Sequence, residues 1–362
     1  MNVLFYVTGH GHGHARRSAE VIKAFVRQFP KAQVLVHTTA PAGIFKHIPR
    51  TSLITGRPPI DIGGVEQDIL TIDARATIAA SEQLLAQKEN VVRSEVELIR
   101  REAIDLIVAD VPFLAGDVAA ASGIPAMALS NFTWDWIFEP FVLNGIGEPA
   151  FLEQIRESYA RMHCCLQLPF YHRMNFFSEV IPTPLVAQRT DRSREEILRD
   201  LNLPEGEDRP RVLFGMRSGV SGPLLIRAAR QAPDFLFLSL EPLETDCAGN
   251  VIELKPRPGL GFVEAIAIAD IVVSKLGYGI VADSIAAGTR LLYPPRTGFR
   301  EDELTEAGAA GCIATRRIDV RDFLSGNWSA DLRALMAAPN PGGKMLWNGA
   351  EFCAREMGKR LS

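Results

Sequence analysis

The sequence contains no apolar run of the roughly 18 to 20 residues needed to span a bilayer, and no low-complexity tract. Charge of one sign is also missing. With 39 Lys and Arg against 43 Asp and Glu, the net charge of −4 offers nucleic acid no general attraction. Cysteines are few: Cys164, Cys165, Cys247, Cys312 and Cys353 form no CxxC pair, and their odd number at irregular spacing points to reduced, buried thiols in a cytosolic compartment. Met1-Asn2 leads directly into an apolar strand, without a basic region, a long apolar core and a small-residue cleavage site. The expectation is a protein acting in the cytoplasm, with peripheral contact at the inner face of the membrane left open.

What is present is a long, compact chain. At 362 residues it exceeds one ordinary hydrophobic core and suits two domains of about 150 to 200 residues. Short apolar runs alternate with longer amphipathic ones, the pattern of parallel strands joined by helical crossovers. Strands are expected at Val3 to Thr8, Gln33 to Thr38, Thr51 to Thr55, Ile104 to Ala109 and Ala126 to Leu129. Helices are expected at Ala15 to Phe29, Thr77 to Arg101 and Leu114 to Ser122. A proline-bearing, aperiodic stretch from Leu166 to Pro184 suggests a boundary near 175 to 190. Beyond it the pattern restarts, with strands at Val212 to Gly215, Phe235 to Leu240, Ile271 to Ser274 and Leu291 to Tyr293. This divides the chain into an N-terminal Rossmann-like domain, 1–180, a C-terminal one, 181–345, and a last helix within 346–362 that packs back on the first. Two such domains facing one another place ligands in the crevice at their strand carboxyl ends.

Three stretches stand out at those ends. The first, Thr8-Gly9-His10-Gly11-His12-Gly13-His14, follows a strand and opens a helix. Its Gly9-x-Gly11-x-x-His14 spacing lacks the third glycine of a dinucleotide fingerprint, and no acidic residue ends the second strand, so a nicotinamide cofactor is rejected. Gly11, His12 and Gly13 shape the loop, and three histidines at alternate positions make a poor metal cage because the intervening glycines hold them loosely. His14, at the helix start, is placed to take a proton from an acceptor hydroxyl. Asp110, at the end of the Ile104 to Ala109 strand, belongs on the same rim and could orient the imidazole, or serve as a helix cap. The second stretch, Phe132 to Phe141, is dense in aromatics. Rings such as Trp134 usually make core but could stack on an acceptor or meet a membrane surface, with Asp135 as a second candidate base or acceptor contact. The third, Gly215 to Gly222, sits between strand and helix, where the backbone of Ser218 and Gly219 and the cation of Arg217 suit a diphosphate. It lacks the Gly-x-x-x-x-Gly-Lys spacing of a nucleotide triphosphatase loop.

Together, Tyr6-Val7-Thr8-Gly9-His10-Gly11-x-Gly13-His14-Ala15-x-Arg17 and Ser130-Asn131-Phe132-Thr133-Trp134-Asp135-Trp136-Ile137 resemble the N-terminal, glycosyltransferase-like region of plant L-arabinokinases. Nearly the whole chain can be laid on that region; the sugar-kinase domain that follows it in the plant enzymes has no counterpart in this sequence. More distantly the layout is similar to GT-B glycosyltransferases, including the peptidoglycan N-acetylglucosaminyltransferase and the plant small-molecule glycosyltransferases. Gly13-His14 matches their first-loop Gly-His pair, and Asp110 resembles the aspartate that supports the base.

The resemblance implies an α/β chain of GT-B type, two facing Rossmann-like domains with a cleft between them. It also implies a donor loop at Gly277, Tyr278 and Gly279, with Asp283 where relatives carry a ribose-binding glutamate. Phe262 falls in the segment that reads the nucleobase, and Glu301 and Asp302 fall where donor-sugar hydroxyls are bonded. The expected reaction moves a sugar from a uridine diphosphate type of donor to a hydroxyl acceptor of unknown identity, with inversion, with no metal required and with no cofactor, the nucleotide sugar being a substrate. Two alternatives share the scaffold: a nucleotide-sugar 2-epimerase and a non-catalytic nucleotide-sugar-binding protein.

Overall fold

A computed structural model of the chain describes residues 1–201, 207–216, 221–243, 249–255, 257 and 259–361. The chain forms two compact units. One comprises Met1–Ala187, Gly298–Glu301 and Leu346–Ser362; the other comprises Gln188–Thr297 and Asp302–Met345.

In the first unit, β1 (Asn2–Val7), α1 (Gly11–Gln28), β2 (Gln33–His37) and β3 (Thr51–Ile54) come first. They are followed by α2 (Ala74–Ala86), α3 (Lys88–Arg101), β4 (Leu106–Asp110), α4 (Leu114–Ser122), β5 (Ala126–Ser130), α5 (Trp134–Leu143), α6 (Pro149–Ala160), β6 (Cys164–Gln167) and β7 (Val180–Pro182). The sheet runs β3-β2-β1-β4-β5-β6-β7 with parallel neighbours. Its central strands are almost wholly apolar and buried, as a parallel sheet covered on both faces requires, with Asp110 and Ser130 as the buried polar residues at the carboxyl ends of β4 and β5. The chain steps outward from β1 to β3 and then returns to lay β4 beside β1. That reversal opens a crevice at the carboxyl ends of β1 and β4.

Two expectations are corrected here. The first helix begins at Gly11 rather than Ala15: after the short turn Thr8-Gly9-His10, Gly11 takes φ +68°, which glycine adopts without strain, and the helix follows directly. The single helix expected from Thr77 to Arg101 is two, meeting at Gln87. The buried positions Leu84, Val91 and Leu98 recur at seven-residue spacing across the bend, so the apolar period in the sequence passes over it.

The second unit contains α7 (Arg194–Asp200), β8 (Arg211–Phe214), α8 (Ser221–Gln231), β9 (Leu236–Ser239), β10 (Val251–Glu253), α9 (Phe262–Ile268) and β11 (Ile271–Val273). After these come α10 (Tyr278–Ala287), β12 (Arg290–Tyr293), α11 (Glu301–Ala310), β13 (Thr315–Arg317), α12 (Val320–Ser325) and α13 (Ser329–Ala337). Its sheet runs β10-β9-β8-β11-β12-β13, again parallel, with the reversal between β8 and β11. The last helix, α14 (Gly349–Leu361), packs on α1 of the first unit, where Gly358 lies so near the Phe29 ring that a Cβ would stand 2.3 Å from it.

Helix contacts in the first unit are close enough to test. A Cβ on Gly116 of α4 would stand 1.7 Å from the Ser158 carbonyl oxygen of α6, a backbone atom with no side-chain freedom to yield. Gly116→Ala is expected to destabilise this unit by about 2 kcal/mol or more, despite the higher helix propensity of Ala. Urea unfolding followed by far-UV circular dichroism measures it.

Candidate functional site

The first-unit site is assembled at the β1/β4 crevice. Pairing sets Val7 opposite Asp110, and the Thr8 N–H donates to the Asp110 carbonyl at 2.7 Å, which fixes the two strand ends together. Positions 14, 17 and 18 share one face of α1 by the three- and four-residue helical spacing, and that face meets the Asp110 carboxylate. His14 Nδ1 lies 2.9 Å from Oδ1. Arg17 donates from Nε to Oδ2 at 2.8 Å and from Nη2 to Oδ1 at 2.6 Å. Ser18 Oγ donates to Oδ2 at 2.7 Å. Beyond them, Arg17 Nη1 donates to Asn131 Oδ1 at 2.8 Å, and Asn131 Nδ2 donates to Glu301 Oε1 at 3.0 Å.

Asp110 is fully buried, and burial by itself would raise its carboxyl. The Arg17 guanidinium and the His14 imidazole outweigh burial and hold it down at about 2. An ionised carboxylate only accepts hydrogen bonds, so His14 must carry its proton on Nδ1 to face it. In a neutral ring that tautomer leaves the lone pair on Nε2, where the imidazole can take a proton.

Sequence reasoning missed a second carboxyl. Asp61, on the loop between β3 and α2, accepts a hydrogen bond from Trp134 Nε1 at 3.0 Å and another from the Thr8 hydroxyl. It is 6% exposed, and burial raises its carboxyl to about 6 against the lowering effect of those two donors and of His14. The loop is held against the α1 entrance by His10 Nδ1 and the Gly64 carbonyl at 3.1 Å. Gly63, at φ +72°, leaves room where a Cβ would fall 2.6 Å from His10 Cβ.

Aromatic rings surround these groups. Phe132 meets His14 edge-on at 5.6 Å, and Phe299 stacks on His10 at 4.9 Å. Trp134 is wholly buried and packs against Phe132 and Phe138. Asp135 is also buried and accepts from Arg156 Nε at 2.8 Å. His12 and Gly13 are half-buried in the first turn of α1, and Gly11 is exposed.

In the second unit Gly215 and Ser274 adjoin at the β8/β11 reversal, Ser274 Oγ donating to the Gly215 carbonyl at 3.3 Å. Gly277 precedes α10, with Tyr278 and Gly279 in its first turn. The carboxylate of Asp283 accepts from the Gln188 N–H at 2.7 Å. Phe262 is half-buried at the start of α9. Asp302 is bonded by Arg296 Nε at 2.8 Å, while Glu301, which begins α11, belongs to the first unit. Arg217, Ser218 and Gly219, like Cys247, lie outside the described residues.

Arg17 and Asn131 occur in the motif stretches quoted above, yet their roles went unread. The i+3 and i+4 spacing of Arg17 and Ser18 from His14 was the available signal. Asp61 had none, because it sits on an aperiodic loop. Among the described residues no group of three His, Cys, Asp or Glu side chains is disposed to hold a metal ion, and no helix is long and apolar enough to cross a membrane.

The fold carrying these sites is GT-B, two parallel α/β sheets of seven and six strands among the described residues. The chain is similar in structure to the glycotransferase of kitacinnamycin, at TM-score 0.66 and 16% identity over 99% of this chain and 96% of that one. It is similar to a UDP-glucosyltransferase from Polygonum tinctorium capable of glucosylating indoxyl, at TM-score 0.60 and 13% identity over 99% and 98%. A putative UDP-N-acetylglucosamine 2-epimerase from Listeria monocytogenes shares the fold at TM-score 0.54 and 15% identity over 98% and 94%. No protein-family model matches the chain. In sequence it is 29% identical over 359 residues to the L-arabinokinase of Arabidopsis thaliana, which covers 97% of this chain and 33% of that protein. The chain thus spans about a third of the length of its curated relative.

The buried ion pair has a pH signature. The Asp110 carboxyl falls from an ordinary value near 4 in the unfolded chain to about 2 in the fold, so its stabilising contribution is present above pH ~4 and lost as pH falls towards 2. Asp110→Asn is expected to lower stability at pH 7, with the gap to the wild type closing between pH ~4 and ~2. Denaturant titrations across that range check it.

Proposed function

We propose that the chain is a nucleotide-sugar-dependent glycosyltransferase in which His14 is the general base. The observation carrying this reading is the His14–Asp110 pair at the β1/β4 strand ends, with Nδ1 facing the carboxylate, so that in the neutral ring Nε2 is the nitrogen able to accept a proton. As the acceptor oxygen attacks the anomeric carbon, its proton passes to Nε2. The bond from that carbon to the diphosphate oxygen breaks, and the nucleoside diphosphate leaves with the electron pair. Attack opposite the leaving group inverts the anomeric centre. Asp110 holds the imidazole in the required tautomer and remains ionised throughout, in keeping with its depressed carboxyl.

The donor is assigned to the second unit. Small residues at its β8/β11 reversal and at the start of α10, Gly215, Gly277 and Gly279, admit a phosphate to backbone N–H groups at a helix N-terminus. Arg217 supplies a cation for the leaving diphosphate, and Asp283 is the proposed ribose contact. A uridine nucleotide is favoured by the UDP-glucosyltransferase named among the structural neighbours. The 2-epimerase sharing the fold supports a second reading, in which the nucleotide sugar itself is converted without an acceptor.

A thermal-shift series with UDP- and TDP-sugars should show a ligand that raises the melting temperature, since a molecule bound only to the native state stabilises it. His14→Asn should keep that shift and lose transfer by about 10²-fold or more. Turnover equal to the wild type would rule out the base assignment. Product analysis without added acceptor distinguishes the epimerase, which alone would yield an isomeric nucleotide sugar.

A further inference from the structure

We propose that Asp61 is a second electrostatic partner of the His14 imidazolium beside Asp110, a carboxylate that helps accommodate the proton His14 receives. The inference rests on His14 acting as a base. It begins from the Asp110 carboxylate, which Arg17 already engages with two N–H groups at 2.6 and 2.8 Å. Asp110 thus divides its single negative charge between the guanidinium and the imidazole, and a second carboxylate close by adds to what the site can offer an imidazolium. Asp61 is held differently. Its partners are an indole N–H, at 3.0 Å from Trp134, and the Thr8 hydroxyl, both neutral donors.

Thr8 fixes the arrangement. Its backbone N–H bonds the Asp110 carbonyl at 2.7 Å while its side chain bonds Asp61, so the two carboxyls flank one residue at the end of β1. The groups acting on Asp61 are His14 from α1, Asp110 from β4, the Trp134 indole from α5 and the Tyr159 phenol from α6, with Arg17 of α1 bonded to Asp110. Among them His14 is the partner that changes charge during transfer. Environments that drive two neighbouring carboxyls apart, one to about 2 and the other to about 6, divide their tasks. Asp110 stays charged and positions the ring. Asp61 is charged above pH ~6, where it favours the imidazolium, and neutral below it, where that help is lost.

Asp61 acts through His14 and is a positioning residue, so its test needs a readout that a merely structural role would leave unmoved. The coupling is reciprocal: if Asp61 favours a proton on His14, then His14 must favour the ionised form of Asp61. In protein labelled with carboxyl-13C aspartate, the resonance missing from Asp61→Asn identifies Asp61. Its midpoint should lie near 6 in the wild type and rise by on the order of half a unit in His14→Gln. Equal midpoints in the two proteins, or an Asp61 that stays ionised to pH 4, would overturn the proposal.

Asp61→Asn keeps an oxygen for the Trp134 N–H and removes only the charge. Its kcat should fall about tenfold with donor KM within twofold, and the pH step near 6 should vanish. An unchanged kcat and pH profile would also overturn the proposal. A wild-type protein that transfers no sugar would defeat the glycosyltransferase reading instead, and the carboxyl titration would still decide the coupling.

Discussion

The Arg17–Asp110 ion pair governs the geometry of the first unit. One carboxylate receives hydrogen bonds from His14, Arg17 and Ser18, three residues within about one turn of α1, so the helix cannot rotate about its axis without breaking several at once. Removing one partner of such a pair strands a buried charge, at a cost of about 3 to 5 kcal/mol. The carboxylate is in turn fixed by the register of β4 on β1, and the guanidinium reaches on to Asn131 at the end of β5. Strand order, helix rotation and ring orientation therefore converge on one buried anion. His14 points where it does because its neighbours one turn on are held.

The two units apply the same topological rule to different contents. Each sheet reverses direction once, between β1 and β4 in one and between β8 and β11 in the other. At the first reversal stand an imidazole, a guanidinium and carboxylates, whose side chains carry protons and charge. At the second stand Gly215 and Ser274, with Gly277 and Gly279 close behind in the chain, whose small size exposes backbone. The contrast matches the division of labour proposed for them, since proton transfer needs a side chain with a tuned affinity and a diphosphate needs close approach to N–H groups.

What could be read from the sequence was whatever repeats or sits beside something that repeats. Alternating apolar runs revealed the strands, and glycines at their ends marked the loops, so His14 and Asp110 could be named from position alone. Gly11 as the first residue of α1 was harder, because its positive φ leaves no trace in a hydrophobic pattern. The bend at Gln87 was hidden by an apolar stripe that stays in phase on both sides. Asp61 was invisible for a different reason: its significance comes from burial beside Trp134 and Thr8, residues remote in the chain, and an aperiodic loop records nothing of that. Glu301 looked like part of a charged second-half loop, and only the folded chain sets it against Asn131.

The brief return of Gly298–Glu301 to the first unit bears on how separable the halves are as genetic cargo. The chain passes between units after residues 187, 297, 301 and 345, so no single cut yields two self-sufficient pieces. A fragment ending at residue 187 would lack the Phe299 ring that covers His10, the Glu301 carboxylate that Asn131 donates to, and the helix that packs on α1. Recombination that exchanged one half for a foreign donor unit would have to carry over those four central residues and the C-terminal helix as well. The fold looks bipartite, yet its inheritance is tied to the chain as a whole.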